Sequence, residues 1–310
     1  MTGPMIEGLV HLAVLAVFPP LLVGVIGKTK AWFAGRKGPP LLQPYFDVWK
    51  LLQKGAVYSR TTTWIFRAGP IVSLAALLCA GLLVPLSSTS APLAFGGDVI
   101  AFAYLLGLAR FFTMVAALDT GSSFEGMGAS REAAFSALAE PALLLALAIV
   151  SVPAGTLSFG EVFASLPWAT WGAAHPEILI AVVVIFLVLL AENSRVPVDD
   201  PATHLELTMI HEVMVLDHGG PDLAYILYGS AVKLFLFASI LVHLVVPVLT
   251  AEGLSGTLAL CGGTIAIAVL VGVVESSMAR LRLLRVPQLL IGASVVAAVG
   301  LVALFVRGQP

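Results

Sequence analysis

The chain has 310 residues, of which 59% are hydrophobic and 11% are charged, and its mean hydropathy is +1.02. Soluble domains carry about 25% charged residues, so this composition excludes a soluble fold and indicates an integral membrane protein. The net charge of −2 comes without a basic tail or face, which excludes nucleic acid as a partner. The two cysteines, Cys79 and Cys261, lack CxxC spacing, which argues against an iron–sulfur or zinc site.

About eight apolar runs approach the roughly 20 residues that a helix needs to cross a bilayer. They show no two-residue alternation, so they are not strands of a membrane barrel. The sequence therefore predicts an all-α, polytopic membrane protein with a single transmembrane domain, residues 1–310. The predicted spans are about 6–26, 69–87, 98–117, 133–153, 176–192, 223–249, 258–275 and 286–306.

The positive charges predict the orientation of the spans. Lysine and arginine gather in the odd-numbered loops, about 27–68, 118–132, 193–222 and 276–285, whereas the other loops between spans have none. Loops rich in basic residues face the cytoplasm. Both termini are therefore expected on the outer side.

Part of the first loop is predicted to be an amphipathic helix between about Pro44 and Lys54. Tyr45, Val48 and Trp49 recur on one face, and polar residues take the other. Pro44 suits a first helical turn, and the glycine after Lys54 suits the end of a helix. Such a helix lies in the membrane interface, where it is either a plain anchor, a dock for a soluble partner, or both.

The second cytoplasmic loop contains the glycine-rich stretch 121–131. A phosphate-binding loop would need a GK[ST] sequence after a strand, and this stretch has neither. We therefore expect a tight loop packed against its neighbours.

Charged residues also fall within predicted spans. Glu140 lies about two turns inside the fourth span, next to Pro141, and Lys233 lies about ten residues inside the sixth. Charges at such depth are costly and mark ion or proton pathways. An acid and a base on separate helices therefore predict a hydrated polar path. For Arg110, in the third span, a structural pairing and a place on that path remain equally open.

The fifth span leads into residues 191–212, the stretch richest in acids. Its titratable residues include Glu192, Arg195, Asp199, His204, Glu206 and Glu212. Prolines and apolar residues between them indicate a folded, partly buried segment, so a functional role is favoured over a solvated loop. His204, His211 and His218 would share one face if a helix continued here. They are spaced too widely for one metal ion and lack an HExxH pattern.

Three motifs resemble one family, the quinone-site membrane subunit (subunit 1 family) of respiratory complex I. AENSRVPVDDPATHLEL resembles its acidic cytoplasmic loop, with matches at Glu192, Arg195, Pro197, Asp199, Pro201, Glu206 and Leu207. Arg131 and Glu140 resemble its arginine and membrane glutamate at the fourth helix. GRKGPPLLQPYFDVWKLL resembles its first cytoplasmic loop. The motifs and spans together cover essentially the whole chain.

Departures from that pattern point to one branch of the family. Ala202 and His204 stand where complex I has further glutamates, which argues against a quinone site. The shortened GPPLLQPY, together with THLELTMIHEVMVLD and ESSMARLRLLRVPQLL, resembles the branch found in membrane-bound [NiFe] hydrogenases of the formate hydrogenlyase and hydrogenase-4 type.

The resemblance implies a subunit of a prokaryotic cytoplasmic membrane that binds no cofactor or metal. It would anchor a soluble NiFe hydrogenase large subunit and an iron–sulfur small subunit, which carry the NiFe centre and [4Fe–4S] clusters. It would also contact antiporter-like membrane subunits and the lipid bilayer. Such a subunit would couple electron transfer in its partners to proton or sodium translocation.

Site residues carried over from these motifs and from the charge pattern fall into three groups. The proton path comprises Glu140, Glu192, Lys233, Asp199, Glu206 and Glu212; the loop-organising residues are Arg131, Arg195, Pro197, Pro201 and His204; the docking residues are Arg36, Gln43, Asp47, Lys50 and Lys54. A quinone-chamber subunit of a complex I relative and a stand-alone ion transporter are the alternatives. The second lacks an evident inverted repeat.

Overall fold

In the computed structural model, residues 3–86, 91–166, 176–199, 209–246 and 254–307 are described, and within them the regular structure is helical. The helices are α1 (Gly3–Val17), α2 (Pro19–Phe33), α3 (Gln43–Leu52), α4 (Trp64–Gly81), α5 (Asp98–Asp119), α6 (Ser123–Ala154), α7 (Phe159–Ala164), α8 (Pro176–Glu192), α9 (Gly220–Val245), α10 (Leu254–Ser277) and α11 (Val286–Arg307). Short 3₁₀ turns occupy Glu212–Val215 and Leu283–Arg285. The all-α prediction is confirmed for these residues.

The chain is a multi-pass membrane protein. Over the described ranges, α4, α5, α6, α9, α10 and α11 are long and apolar enough to cross a bilayer, and the pair α1–α2, bent by 43°, would make a seventh span. The remaining predicted span, 176–192, matches α8 in its bounds. At 17 residues, α8 rises only about 26 Å, which is less than a hydrocarbon core of about 30 Å. The count of eight spans is therefore not confirmed.

The bend between α1 and α2 results from two consecutive prolines. Pro19 and Pro20 have no N–H to donate to the carbonyls one turn earlier. Tyr228 of α9 donates to the Ala16 carbonyl at 2.8 Å and so replaces the N–H that Pro20 lacks. Leu21 N–H donates to the Phe18 carbonyl at the bend, and the Val17 carbonyl accepts instead from the Tyr45 hydroxyl of α3 at 2.5 Å. The break is thus satisfied internally, as hydrocarbon surroundings require.

The predicted loop over 118–132 is wrong in its extent. Helix α5 continues to Asp119 and α6 begins at Ser123, so only residues 120–122 connect them. The glycines serve packing within α6. A Cβ at Gly128 would lie 3.1 Å from the Ile210 carbonyl oxygen and 2.9 Å from Met214 Cγ, so glycine here allows the segment before α9 to lie directly on α6.

Helix α9 is the central element of the bundle. It packs against α2, α4, α8 and α10, while α6 packs against α5, α8 and α11. Its middle, from Val232 to Leu244, is buried almost without interruption in the main apolar core. Polar residues on α5, α6, α8 and α9 are consequently brought together inside the bundle.

We expect Gly128→Ala to destabilise the protein because the new methyl group displaces the segment around Ile210 and Met214. Overpacking of this kind costs about 1–3 kcal/mol, more than the roughly 0.5–1 kcal/mol that alanine gains over glycine within a helix. The measurement is the thermal unfolding midpoint in detergent. Gly126→Ala is the matched control, since its Cβ meets only Leu118 Cδ2 at 4.0 Å. A midpoint for Gly128→Ala at or above that of Gly126→Ala would contradict the packing argument.

Candidate functional site

The Arg110 guanidinium, on α5, is the centre of a buried charged cluster. Its Nη1 donates to Glu140 Oε1 on α6 and its Nη2 donates to Glu192 Oε1 at the end of α8, both at 2.7 Å. The side chains of Arg110 and Glu192 are 6% and 4% exposed, whereas that of Glu140 is 50% exposed. Arg110 lies about nine residues before the end of α5, roughly 13 Å of helical rise inside the span. The two carboxylates expected on the proton path thus share one guanidinium.

Two further residues complete the cluster at longer range. Lys233 Nζ, on α9, lies 3.7 Å from Glu192 Oε2, and Glu132 Oε1, on α6, lies 3.7 Å from Arg110 Nε. Three carboxylates therefore face two cations. When all five groups are ionised the cluster carries one net negative charge, so it can take up a proton without accumulating positive charge.

Two small cavities adjoin the cluster. One, of about 40 Å³, is lined by Arg110, Glu132, His211 and Lys233 together with hydroxyl and apolar side chains. The other, of about 20 Å³, is lined by Glu132, Glu192 and Asp199 among others. Glu132 borders both cavities.

Asp199 joins the two ends of the acidic segment, residues 191–212, to each other and to the connection between α10 and α11. Its Oδ2 accepts from the backbone N–H groups of Ile210 and His211 at 3.1 and 3.3 Å. Its Oδ1 lies 2.8 Å from Arg280 Nη2, in the connection between α10 and α11. The Asp199 carboxylate is thus a structural junction as well as a candidate path residue.

Glu275, near the end of α10, holds the same segment from another side. Its fully buried carboxylate lies 2.8 Å from Lys30 Nζ on α2 and 3.4 Å from Arg195 Nη1. Arg195 is therefore anchored to a helix well away from its own place in the chain.

The other loop residues are placed as follows. Arg131 Nη1 donates to the Met209 carbonyl at 2.8 Å, and the Pro197 carbonyl accepts from Leu281 N–H at 2.9 Å. Glu212 begins the 3₁₀ turn Glu212–Val215 and is half-buried. Pro201, His204 and Glu206 lie outside the described residues.

Helix α3 presents the expected amphipathic surface. Lys50, Lys54, Asp47 and Arg36 are exposed, and Gln43 Nε2 donates to Asp47 Oδ1 at 2.8 Å. The apolar Phe46 and Trp49 are 59% and 65% exposed. Gly220, at the start of α9, packs on the backbone carbonyls of Lys54 and Gly55, so α3 is fixed to the central helix of the bundle.

The histidines do not share a continuous helix face, because residues 209–219 contain only the short 3₁₀ turn. His211 faces the larger cavity, and burial lowers its pKa to about 4. The His218 ring stacks on Phe66 with centroids 4.0 Å apart, and burial lowers its pKa to about 4 as well. In the part of the chain that is described, no three His, Cys, Asp or Glu residues are grouped to hold a metal ion.

Sequence reasoning missed Glu132 and left Arg110 undecided. Glu132 falls at the edge of a stretch that the sequence predicts as loop, although it precedes Glu140 by two helical turns on α6. Reading α6 from Ser123 would have placed both acids on one helix within reach of α5. The contact of Glu275 with Lys30 joins distant parts of the chain, so no local sequence pattern could have predicted it.

These features define the class of protein. It is a multi-pass helical membrane protein in which α5, α6, α8 and α9 hold a charged cluster of three carboxylates and two cations. A family model described as "NADH dehydrogenase" matches residues 6–307. The chain therefore belongs to this family, that of subunit 1 of complex I, and the resemblance seen in its motifs is confirmed.

Two similar relatives come from Escherichia coli (strain K12). "Formate hydrogenlyase subunit 4" is 32% identical over 292 residues, covering 92% of this chain and 92% of that protein. "Hydrogenase-4 component C" is 31% identical over 287 residues, covering 91% and 90%. A subunit of the NADH-quinone oxidoreductase of Burkholderia vietnamiensis is 24% identical over 258 residues, covering 76% and 71%.

The fold has also been seen in a solved structure. A chain in the structure of "the membrane-bound sulfane sulfur reductase (MBS), an archaeal respiratory membrane complex" matches with a TM-score of 0.81, covering 97% of this chain and 99% of that one. The two are 22% identical, so this likeness concerns the fold alone.

We expect stability to fall as the pH drops from 6.5 towards 4, partly because of His218. An unfolded histidine binds its proton near pH 6.5, whereas folded His218 does so near pH 4. Between these values the unfolded state binds more protons, so stability is full above about pH 6.5 and declines below it, by up to about 3 kcal/mol for one such group.

His218→Phe keeps an aromatic ring against Phe66 and removes the titration. Its unfolding midpoint should therefore fall less than that of the unmodified protein between about pH 7.5 and about pH 5. Parallel curves for the two proteins would show that His218 is not protonated on unfolding in this window.

Proposed function

We propose that the chain is the non-redox membrane subunit of a group 4 [NiFe] hydrogenase complex of the formate hydrogenlyase type. In this role it holds a soluble hydrogenase and iron–sulfur module on the membrane and couples its electron transfer to proton or sodium translocation. The names of the two Escherichia coli relatives support the hydrogenase assignment, and their coverage extends it to nearly the whole chain.

The charge imbalance around Arg110 is the observation that carries the coupling role. A purely structural burial of Arg110 and Lys233 would need two carboxylates, and the cluster has three. Interacting carboxylates in a poorly solvated site titrate together, so one proton can be shared among them. A change of charge nearby then changes whether that proton is held.

The acidic segment provides a route for such a change. Asp199 borders the smaller cavity beside Glu192, and its other contacts join it to Arg280 and to the segment around His211. A shift of this segment on reduction of a docked module would alter the field at Glu192. Glu212 belongs to the proposed path, as does Glu206 on the strength of its place in the sequence motif.

The exposure of Glu140 is an argument for a membrane partner, which would lie on the side of the cluster away from the acidic segment. Its carboxylate is half exposed on a spanning helix, and an ionised group facing lipid is costly unless another protein or water covers it. An antiporter-like subunit on this face would receive the proton that the cluster releases.

The proposal assigns docking to α3 together with the acidic segment on the cytoplasmic side, and with eight spans both termini would lie on the outer side. The exposed aromatic and basic residues of α3 suit a protein surface that is partly acidic. The Tyr45 hydroxyl and the start of α9 hold the helix in place, so a docked module would rest on a rigid element.

The alternatives have less support. Among the described residues, the cavities at the cluster measure about 40 and 20 Å³, far below the roughly 300–1,000 Å³ typical of pockets for small organic ligands, so these two cavities do not favour a quinone. A stand-alone transporter is not favoured by relatives that are named as subunits or components.

We expect Glu140→Gln and Glu192→Gln to uncouple the complex without dismantling it. Each keeps size and hydrogen bonding, and in each Arg110 retains one carboxylate at 2.7 Å. Hydrogenase activity with an artificial dye should remain, while turnover with the physiological donor and ion translocation in vesicles should fall. Glu161→Gln, on the short helix α7 away from the cluster, is the matched control. Full physiological turnover and translocation in both cluster variants would refute the coupling role.

Charge reversal on α3 tests docking. Lys50→Glu with Lys54→Glu should release the soluble module into the wash of isolated membranes while the subunit stays inserted, because like charges at a docking face repel an acidic partner. Arg282→Glu with Arg285→Glu makes the same charge change between α10 and α11. Retention of the module by the α3 variant, measured by immunoblot of membranes against that control, would exclude α3 as the dock.

A further inference from the structure

Glu132 is the one residue among the described ranges that we find lining both cavities of the charged cluster. On one side it faces His211, Lys233 and Arg110, and on the other it faces Glu192 and Asp199. Its side chain is 14% exposed. It therefore stands between the segment that carries Asp199 and the lysine within the bundle.

The distances around Glu132 indicate water between the charged groups. The 3.7 Å separations of Arg110 Nε from Glu132 and of Lys233 from Glu192 are too long for direct hydrogen bonds. Within the described part of the chain, Arg110 Nε and Glu192 Oε2 are buried without a hydrogen-bond partner. Buried polar atoms rarely stay unpaired, and a gap above 3.5 Å between them is commonly bridged by water.

The cavities have the size and lining that water requires. A cavity needs roughly 10–15 Å³ per water molecule and two to four polar partners for each. By that measure the larger cavity, of about 40 Å³, holds about three water molecules, and the smaller, of about 20 Å³, holds about one. Hydroxyls of Ser73, Thr113 and Ser230 line the larger cavity and can both donate and accept hydrogen bonds.

We propose that Glu132 is a proton-relay residue, which passes a proton between water beside Asp199 in the smaller cavity and water beside Lys233 and His211 in the larger one. The inference rests on the proposed coupling function and adds the residue that connects its two halves. Neutral His211 contributes an imidazole that can donate to or accept from the water on the lysine side.

The relay needs only the making and breaking of O–H bonds. The Glu132 carboxylate accepts one proton from a protonated water on one side, and its carboxylic acid form gives that proton to a water on the other. Each passage moves one positive charge and returns Glu132 to the carboxylate. A rotation about the side chain of Glu132 is sufficient, because both cavities border it.

The test uses the intact complex with Glu132→Gln, Glu132→Asp and Ser230→Val. Glu132→Gln should lower turnover with the physiological donor and ion translocation at least about tenfold, since a positioned proton-transfer group typically contributes about 10²–10⁴-fold. Dye-linked hydrogenase activity should remain, and Glu132→Asp should restore part of the loss by way of an added water. Ser230→Val keeps every carboxylate and fills the larger cavity with methyl groups, so it should also slow coupled turnover.

Glu161→Gln serves as the matched control, and Glu140→Gln is measured in parallel. If Glu140→Gln uncouples while Glu132→Gln retains full coupled turnover, the relay is refuted and the coupling function stands. If neither variant uncouples, the coupling function itself fails. If Glu132→Gln does not assemble, Ser230→Val decides, because unchanged coupled turnover in that variant refutes passage through the larger cavity.

Discussion

Placing an arginine inside a membrane-spanning bundle is the constraint on which the rest of the structure depends. The guanidinium of Arg110 cannot lose its proton in a protein, so it must be surrounded by acceptors at this depth. Glu140 and Glu192 supply them at 2.7 Å, and this requirement brings α5, α6 and α8 together. Lys233 then places α9 against Glu192, and the third acid, Glu132, leaves the cluster with the net negative charge on which the proposed coupling role depends.

The segment after α8 is bound to the bundle by charge as well as by apolar packing, in which Val198 joins Val286 and Leu290 of α11. Asp199 contacts Arg280, and Arg195 contacts Glu275, which also binds Lys30. These contacts reach α2, α10 and the connection to α11. Breaking one of them leaves a buried charge without compensation, which is strongly destabilising, so we expect displacement of the segment to require a rearrangement of these charges. The proposed coupling role requires this property of the segment.

The sequence predicts most of the helices and three members of the charged cluster, Glu140, Glu192 and Lys233. Apolar runs locate helices because hydrophobicity is a local property, and the helix bounds agree closely for α8 and α11. The extent of α6 could not be read, because Gly128 looks like a loop residue until the backbone of Ile210 is seen against it. Glu132 was missed because it lies at the end of the stretch that the sequence predicts as a loop. The contacts of Arg110 and Glu275 depend on how distant helices pack, and the spacing of residues along the chain does not predict that packing.

The proline break between α1 and α2 has a consequence for which substitutions the protein tolerates during evolution. Pro20 leaves the Ala16 carbonyl to the Tyr228 hydroxyl, and the bend that the prolines impose leaves the Val17 carbonyl to the Tyr45 hydroxyl. An uninterrupted helix would make the hydroxyls superfluous, and loss of a hydroxyl would make the prolines harmful. We therefore expect the effect of a substitution at either tyrosine to depend on whether the prolines are present. Because Tyr45 lies on α3, selection on the proposed docking helix and selection on the first membrane helix act on the same residue.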